Sequence, residues 1–485
     1  MEIIFDQTCF QLAVMIFAGL FFLTAKKDLL FSVAVIPLML PFYLIKIYFY
    51  PLIWLKGLQQ AVYGDFTLAG KTILNSLFAL PERNSTSLKP DFEQIGQFFV
   101  PTNLLEILLI ILLFFGLKNI FIQLKKIYQE KSKNPLFIIV FGFFLASFLS
   151  LPWAINRANS LGVVKGWIVI PILIFLLVSD LIKKEKFKKL LYKNFLMGGI
   201  FMVISSLIFL ASNVLSYDDR LTGIFLSPNH LAMSLLPALT LFLVTLPRVR
   251  HNKTTRALLL LMIFLTLLAL YRTYSYSSWL ALGGVSLAYS MFYLAKTGKE
   301  RSKKMVVPLL LFFIFSFSLL FFSQLNNPKL QSILQGEYYS SLNSRLMIWK
   351  SAILIAQDHW LLGIGGGNFQ IAYLDYQKYF SEPYEEWAVP EPHNIFLAFY
   401  LGLGLMGLIS FFGLMIFIST DSIKKIRIAK SDLKNLTVNN SLYLWSIFYL
   451  ISVLIVGLID TPYWKNDLAL LFWLTIAINL RLSPR

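Results

Sequence analysis

The clearest candidate for acid–base chemistry is His393, in the stretch EPHNIFLAFYLGLGLMG from Glu391 to Gly407. An imidazole titrates near neutral pH, so it suits the work of a general base. If a helix starts at this histidine, Gly404 and Gly407 lie 11 and 14 residues further on and close to the same face. Glycines on that face let another helix approach closely. We therefore expect His393 at a packed crevice, with a simple helix cap or interfacial polar residue as the alternative.

Three arginines predicted on the outer side near the spans are candidates for binding an anion. Arg345 precedes Trp349 by four residues, and its planar guanidinium is suited to phosphate oxygens, with stacking on the tryptophan as the alternative. Arg220 opens RLTGIFLSPNHLA, a turn in which Asn229 is expected to cap the next helix, a role that leaves the arginine unexplained. For Arg272, in LALYRTYSYSSW, snorkelling towards the membrane surface is the alternative.

Metal and nucleotide chemistry are not indicated by the remaining motifs. The single cysteine, Cys9, excludes an intrachain disulfide and a cysteine metal site. The stretch GIGGGNF lacks the preceding strand and the Gly-Lys-Ser/Thr continuation of a phosphate-binding loop, so it predicts a tight turn with close backbone packing. Asp218 and Asp219 fit an acidic surface turn better than a divalent-cation site. We expect no metal and no cofactor.

The elements that position these side chains are predicted to be membrane helices. The chain has 485 residues, 57% of them hydrophobic and only 14% charged, with a mean hydropathy of +0.69. Apolar runs recur from one end to the other at lengths near the roughly 20 residues that a membrane helix needs. This composition excludes an ordinary soluble domain.

The net charge of +18 reports topology, because most of the 43 Lys and Arg residues lie in alternate loops while the loops between them are acidic. Basic loops stay in the cytoplasm, so the acidic loops and the candidate residues are predicted on the outer face. We therefore expect no nucleic-acid partner. The basic clusters are Lys26–Lys27, Lys118 to Lys133, Lys183 to Lys193, Arg248 to Arg256, Lys296 to Lys304, Lys424 to Lys434, and the pair Arg481 and Arg485.

The predicted fold class is an all-α polytopic membrane protein with about 12 to 13 transmembrane helices in a single integral membrane domain over residues 1–485. Two long outer segments interrupt the spans: residues 46–102, predicted as an interfacial helix and loop, and residues 324–392. In the second, an apolar pattern at helical spacing predicts a helix on the outer membrane surface or on the bundle. That pattern consists of Leu342, Leu346, Trp349, Ile353, Ala356 and Trp360. The predicted spans are 9–25, 29–45, 103–117, 135–151, 162–181, 194–214, 229–247, 257–271, 277–295, 305–323, 393–418, 441–459 and 467–480.

Taken in order, these motifs resemble the bacterial O-antigen ligase and polymerase superfamily. The ligase signature is His, then Asn, Ser or Gln, nine residues, Gly, two residues and Gly, and it is matched by His393, Asn394, Gly404 and Gly407. The stretch SRLMIWKSAILIAQDHWLLGIGGGNF and the stretch RLTGIFLSPNHLA resemble the family's segments ahead of that histidine, so the resemblance covers about residues 215–420.

One position departs from the family pattern. Many members carry a Ser-Arg pair where this chain has Ser275-Tyr276. Arg272, one helical turn earlier, is the candidate replacement.

The resemblance implies a C-type membrane glycosyltransferase-like fold and a polyprenyl-diphosphate-linked glycan as donor. Arg220, Arg345 and Arg272 would bind the diphosphate. His393 would take the proton from the acceptor hydroxyl, oriented by Asn394 or Glu391. Single displacement with inversion, without a metal, is the expected mechanism. The residues expected to support the site are Gly404, Gly407, Trp349 and Asn229.

The acceptor and the cellular location also follow from the resemblance. The acceptor is a lipid A core sugar in a ligase, the growing glycan in a polymerase, or a protein hydroxyl in an O-oligosaccharyltransferase, and the full signature favours the ligase. The resemblance implies the bacterial cytoplasmic (inner) membrane, with the site on the periplasmic face and membrane lipids as partners. A transporter is the alternative from another class, but polar groups crowd one face and leave the spans nearly free of charge.

Overall fold

The computed structural model describes residues 2–47, 102–129, 135–296, 322–323, 325, 328–335, 341–376, 389–428 and 437–483. The predicted interfacial segment 46–102 and the predicted span 305–323 lie almost wholly outside these described residues. Every other predicted span coincides with helical residues.

The architecture is helical, and the helices are numbered here in chain order. The one strand pair within the described residues is Lys46–Ile47 antiparallel to Thr102–Asn103. The helices are α1 Glu2–Lys27, α2 Leu29–Ala34, α3 Ile36–Met39, α4 Leu104–Gln129, α5 Pro135–Ser150, α6 Arg157–Val163, α7 Ile170–Leu181, α8 Glu185–Ala211, α9 Pro228–Thr245, α10 Lys253–Arg272, α11 Tyr276–Lys296, α12 Pro328–Leu334, α13 Ser341–Asp358, α14 Phe369–Tyr376, α15 Ile395–Ile428, α16 Val438–Gly457 and α17 Asn466–Arg481.

Among the described residues, seven helices are long and apolar enough to cross a membrane, and Pro135–Ser150 is a shorter apolar helix. This confirms the predicted all-α polytopic membrane fold. The seven are Leu104–Lys126, Arg157–Leu181, Glu185–Ala211, Pro228–Val249, Lys253–Arg272, Ile395–Arg427 and Val438–Gly457.

The predicted span 29–45 is not one helix. It consists of α2, α3 and a 3-10 helix over Leu40–Leu44, with Pro37 and Pro41 at the starts of the second and third pieces. Proline has no N–H to donate and its ring clashes with the preceding turn, so each proline begins a new helical segment instead of continuing the old one.

Helix α17 is buried along most of its length, from Asp467 to Asn479. It packs against α7 and α16, and α16 packs in turn against α9 and α11. The segment 458–465 connects α16 to α17 and is anchored by aromatic side chains: Trp473 Nε1 donates to Tyr463 Oη at 3.1 Å, and Tyr463 Oη donates to the Trp167 carbonyl at 2.6 Å. The connecting segment therefore has a fixed position at one end of the bundle.

The long predicted outer segment contains α12, α13 and α14 in its described part. In α13, Leu342, Leu346 and Ile353 of the predicted apolar pattern are exposed by 44–50%, while Ile348 and Ala352 on another face are buried. Ala356 of the same pattern is buried and Trp349 packs against the buried cluster, so α13 packs on α14 and on α15 of the bundle through this side and leaves the other side exposed.

Candidate active site

His393 lies just before α15, and its imidazole contacts a buried carboxylate. His393 Nδ1 is 3.3 Å from Asp460 Oδ1, and the side chains are 27% and 5% exposed. A carboxylate accepts hydrogen bonds and does not donate them, so a neutral imidazole must carry its proton on Nδ1. The other ring nitrogen, Nε2, then has the free lone pair and can accept a proton.

Asp460 is held in its charged form by its surroundings. Burial alone would raise the pKa of its carboxyl, but the hydrogen bond and charge of His393, the charge of Arg345 and the N–H of Thr461 together lower that pKa well below its usual range. Thr461 N donates to Oδ1 at 2.8 Å, and Asn229 Nδ2 donates to Oδ2 at 3.0 Å. The carboxylate therefore remains an anion that orients the imidazole and fixes its tautomer.

Asn229 connects this carboxylate to Arg220. The Asn229 side chain accepts a hydrogen bond from Arg220 Nη2 at 2.8 Å. Arg220 Nε donates to the Thr273 carbonyl at 2.7 Å, and Nη1 lies 3.3 Å from Asp218 Oδ2. Arg220, Asn229, Asp460 and His393 thus form one chain of side-chain contacts built from three distant parts of the sequence.

Arg345 joins the same site from α13. Its Nε donates to the Ile459 carbonyl at 3.1 Å and its Nη1 donates to the Ser341 carbonyl at 3.0 Å, so within the described residues Nη2 has no hydrogen-bond partner. Burial lowers the pKa of Arg220, Asp218 opposes that effect, and the charge of Arg345 lowers it further. The two guanidinium groups therefore lie within electrostatic range of each other and concentrate positive charge beside Asp460.

Trp349, one turn after Arg345, supports the histidine segment. Its indole Nε1 donates to the carbonyls of Pro392 and His393 at 3.1 and 3.3 Å. His393 has a φ of +45°, a backbone conformation that few non-glycine residues adopt. The indole N–H holds the chain where this unusual turn aims the imidazole at Asp460.

Arg272 is placed differently from the other two arginines. Its Nη1 lies 3.4 Å from the Tyr274 hydroxyl, and its carbonyl accepts a hydrogen bond from Leu221 N at 2.9 Å. In the described residues its guanidinium makes no hydrogen bond to Arg220 or Asp460. The turn that follows Arg272 contributes the Thr273 carbonyl that orients Arg220, so its backbone serves the site more directly than its charge does.

Asn394 and Glu391, expected to orient the imidazole, make no hydrogen bond to it within the described residues. Asn394 Oδ1 accepts from the N–H groups of Phe396 and Leu397 at 3.0 and 3.1 Å, so it caps α15. Burial raises the pKa of Glu391 to about 8, partly opposed by the charge of Lys465. The orienting partner of the imidazole is Asp460.

Gly404 interrupts α15, so the single helical face assumed in the sequence argument does not exist. The helix begins at Ile395, after the histidine, and Gly404 has φ +68° and ψ −170°. A Cβ atom on Gly404 would lie 2.2 Å from the Leu361 carbonyl oxygen. The element that approaches Gly404 is thus the loop after α13, not a second helix. Gly407 follows in the second part of α15, where a Cβ atom would meet Leu403.

The glycine-rich stretch 363–367 packs closely against its neighbours. Gly363 has a φ of +69°, and a Cβ atom there would be 2.3 Å from the Leu401 carbonyl. Ile364 N donates to that carbonyl at 2.7 Å. This turn holds α15 and the end of α13 together beneath the histidine segment.

Sequence reasoning missed Asp460, Thr273 and the carbonyl of Ile459. Asp460 lies in the acidic stretch GLIDTPYWKND between two spans, where its charge by itself predicts only that the loop faces outward. Its one available signal was its place at the predicted outer end of the bundle, the same end as His393.

Residues 261–412 match the family model described as O-antigen ligase. The matched stretch contains Arg272, Arg345 and His393, whereas Arg220 and Asp460 lie outside it. No curated protein matches the chain.

Proposed function

We propose that this chain, whose residues 261–412 match the O-antigen ligase family model, transfers a glycan from a polyprenyl-diphosphate-linked donor to an acceptor hydroxyl. The family implies a glycosyltransferase-like membrane enzyme that acts on glycan and lipid-linked substrates. The observation that carries the finer proposal is the contact chain His393–Asp460–Asn229–Arg220, with Arg345 beside it. It brings a base and two anion-binding groups into one site.

In the proposed reaction His393 activates the acceptor. Its Nε2 takes the proton of the acceptor hydroxyl as the oxygen attacks the anomeric carbon of the donor sugar. Asp460 stabilises the positive charge that the imidazole gains, because the two groups are 3.3 Å apart and the carboxylate is buried. The acceptor oxygen becomes the new glycosidic oxygen, and its proton stays on the histidine until it passes to solvent.

Arg220 and Arg345 bind the leaving diphosphate. The bond between the anomeric carbon and the phosphate oxygen breaks with its electron pair on the diphosphate, which gains negative charge. Guanidinium groups fixed by hydrogen bonds to Asn229, Thr273 and Ile459 are preorganised donors for that charge. The diphosphate is already a good leaving group, so no acid catalyst is needed, and one displacement inverts the anomeric centre.

The test uses the purified full-length protein with a lipid-linked glycan donor and an acceptor. General base catalysis contributes about 10²- to 10⁴-fold, so His393→Ala is expected to lower the transfer rate by at least about 100-fold. His359→Ala is the matched control, because that histidine is exposed at the end of α13. A His393→Ala protein that transfers glycan at the wild-type rate would overturn the base assignment.

Two further arms test the anion site and the acceptor. Arg345→Lys keeps the charge but loses the planar guanidinium that binds two phosphate oxygens, so slower transfer is expected. Transfer by the wild-type protein is expected to persist in EDTA. A strict need for Mg²⁺ would contradict the proposal that arginines alone stabilise the leaving diphosphate. Offering a lipid A core, a free glycan repeat and a protein acceptor separately identifies the acceptor. We expect the lipid A core to be used, because the full His-Asn-Gly-Gly signature is ligase-like.

A further inference from the structure

A pocket lies in the bundle behind the proposed active site, between the 36–44 segment, α8, α9, α16 and α17. Its walls are mainly apolar side chains and prolines. Pro41, Phe201, Leu241 and Leu471 are representative lining residues. Phe201 is 52% exposed on the outside of the bundle, so the pocket is accessible from the surface that faces lipid in a membrane.

Within the described residues, two polar atoms in this apolar lining lack a hydrogen-bond partner. Asp467 is 4% exposed and lines the pocket, and its Oδ1 has no hydrogen-bond partner among the described residues. The Ser234 hydroxyl lines the same pocket and is equally unsatisfied within the described part of the chain. Leaving a buried polar atom unpaired costs about 1–3 kcal/mol, and more for a charged group. Such atoms point to a bound molecule that supplies the missing hydrogen bonds.

The other carboxylate oxygen of Asp467 is already occupied. His230 Nε2 is 3.0 Å from Asp467 Oδ2, and His230 Nδ1 is 3.1 Å from the Tyr43 hydroxyl. Phe225 stacks on the His230 ring with centroids 4.2 Å apart. These contacts fix the carboxylate in place, so its free oxygen is a preformed acceptor at the edge of the pocket.

The chemistry of the lining defines the ligand. A carboxylate oxygen accepts hydrogen bonds, so the ligand must bring a donor. The negative charge of Asp467 also repels a phosphate or diphosphate group, so this pocket and the arginine-lined donor site differ in the ligands they favour. From Ser234 to Leu241 the wall of α9 extends over about 10 Å, given a rise of about 1.5 Å per residue, which accommodates part of a hydrocarbon chain.

We propose that this pocket binds an amphiphile whose hydroxyl or ammonium head donates to Asp467 Oδ1 and Ser234 Oγ while its hydrocarbon chain lies along Leu471 and Leu241. The ligand approaches from the bilayer with its head at the N-terminal turn of α17. His230, the partner of Asp467, is preceded in α9 by Asn229, which belongs to the contact chain of the active site. The occupied pocket therefore adjoins that site without overlapping it. The proposal does not depend on which reaction the active site catalyses.

The experiment uses three photoreactive probes with the same diazirine-bearing alkyl chain and different heads: an alcohol, a primary ammonium and a phosphate. The full-length protein is labelled in a membrane mimic, and the labelled peptides are identified by mass spectrometry. We expect the alcohol and ammonium probes to label peptides covering 195–202 and 234–241 about tenfold more than the phosphate probe. Preferential labelling by the alcohol or by the ammonium identifies which head the pocket takes.

Two variants and one competition test the polar contacts. Ser234→Ala and Asp467→Asn are expected to reduce this labelling several-fold, and Asp467→Asn is expected to remove any advantage of the ammonium. Ser205→Ala, four residues after Phe201 in α8 but outside the pocket lining, is the matched control. An excess of the non-photoreactive alcohol must displace the alcohol probe from the wild-type protein, a result that does not depend on whether the variants fold. Equal labelling by all three heads, or labelling that neither variant nor competition lowers, would overturn the proposal.

Discussion

At the scale of residues, the site depends on a histidine whose partner is distant in sequence. The carboxylate of Asp460 contacts His393 across 67 positions and Asn229 across 231 positions. Its depressed pKa keeps it charged, so it can stabilise an imidazolium as a proton is taken up. This makes Asp460 a positioning residue for the proposed base, in the manner of the acid in a catalytic triad.

Replacing Asp460 tests that role. We expect Asp460→Asn to lower kcat for glycan transfer by about tenfold or more, because the imidazolium loses its counter-charge while the size of the side chain is kept. Asp218→Asn is the matched control, since Asp218 contacts Arg220 from a more exposed position, with 34% of its side chain accessible. Steady-state kinetics of both variants measure the effect, and equal rates for Asp460→Asn and Asp218→Asn would contradict it.

The raised pKa of Glu391 predicts how the stability of the protein depends on pH. Its pKa is raised by burial to about 8 in the folded protein, against 4.5 for the free group. The folded state therefore binds this proton more tightly, and its contribution to stability is full below about pH 4.5 and is lost as pH rises through about 8. Glu391→Gln cannot titrate, so its thermal midpoint should gain on that of the wild type as pH increases.

Thermal midpoints in detergent at pH 5.5, 7 and 8.5 measure this difference. Glu185→Gln is the control, because that carboxylate is 66% exposed. Parallel pH curves for Glu391→Gln and the wild type would show that the carboxyl is not desolvated as the structure indicates.

At the scale of elements, the break in α15 positions the histidine segment. The chain bends at Gly404, and the loop at Leu361 and Leu362 fills the space that a side chain would occupy. Leu405 N donates to the Leu361 carbonyl at 3.1 Å, which replaces a hydrogen bond that the regular helix would have made. Gly404, the first glycine of the ligase signature, thus allows a close contact between α15 and the chain that follows α13.

Gly404→Ala is expected to destabilise the protein by about 2 kcal/mol or more, because the conformation at φ +68° and ψ −170° is essentially restricted to glycine. The new Cβ would also collide with the Leu361 carbonyl. Gly413→Ala in the same helix is the control, since its Cβ would meet Ile139 at an ordinary 3.5 Å. Thermal unfolding of the two variants measures the difference, and a Gly404→Ala protein as stable as Gly413→Ala would refute the argument.

At the scale of the whole molecule, the candidate site residues gather at one end of the helical bundle. The basic clusters occur in the loops that alternate along the chain with those carrying the candidate residues, and the positive-inside rule assigns the basic loops to the cytoplasm. We therefore expect the active site on the outer face of the membrane, where a lipid-linked glycan and its acceptor meet.

Cysteine labelling tests this orientation. In a Cys9→Ser background, Tyr217→Cys should react with a membrane-impermeant maleimide from outside intact spheroplasts, because the Tyr217 side chain is fully exposed. Lys186→Cys, at a side chain that is 70% exposed in the basic first turn of α8, should react only after permeabilisation. The reverse pattern would place the site in the cytoplasm.

The sequence by itself determined the helical membrane class and the positions of most spans, because hydropathy and loop charge are local properties. It also singled out His393, Arg345 and Arg220, since an ionisable side chain at a membrane helix end stands out against apolar neighbours. The breaks in the predicted span 29–45 were also indicated by the sequence, through Pro37 and Pro41, but hydropathy alone predicts one continuous helix there.

Only the tertiary structure decided which groups touch. In the sequence Asp460 is one acidic loop residue among several, and only the packing of the segment 458–465 brings it to His393. Arg272 and Arg345 are likewise similar in sequence, and only the structure shows that the guanidinium of Arg272 contacts Tyr274 instead. The same holds for Gly404, whose backbone conformation depends on a loop more than 40 residues earlier in the chain. Contacts between distant segments depend on how whole helices pack, and no local pattern of residue types encodes that arrangement.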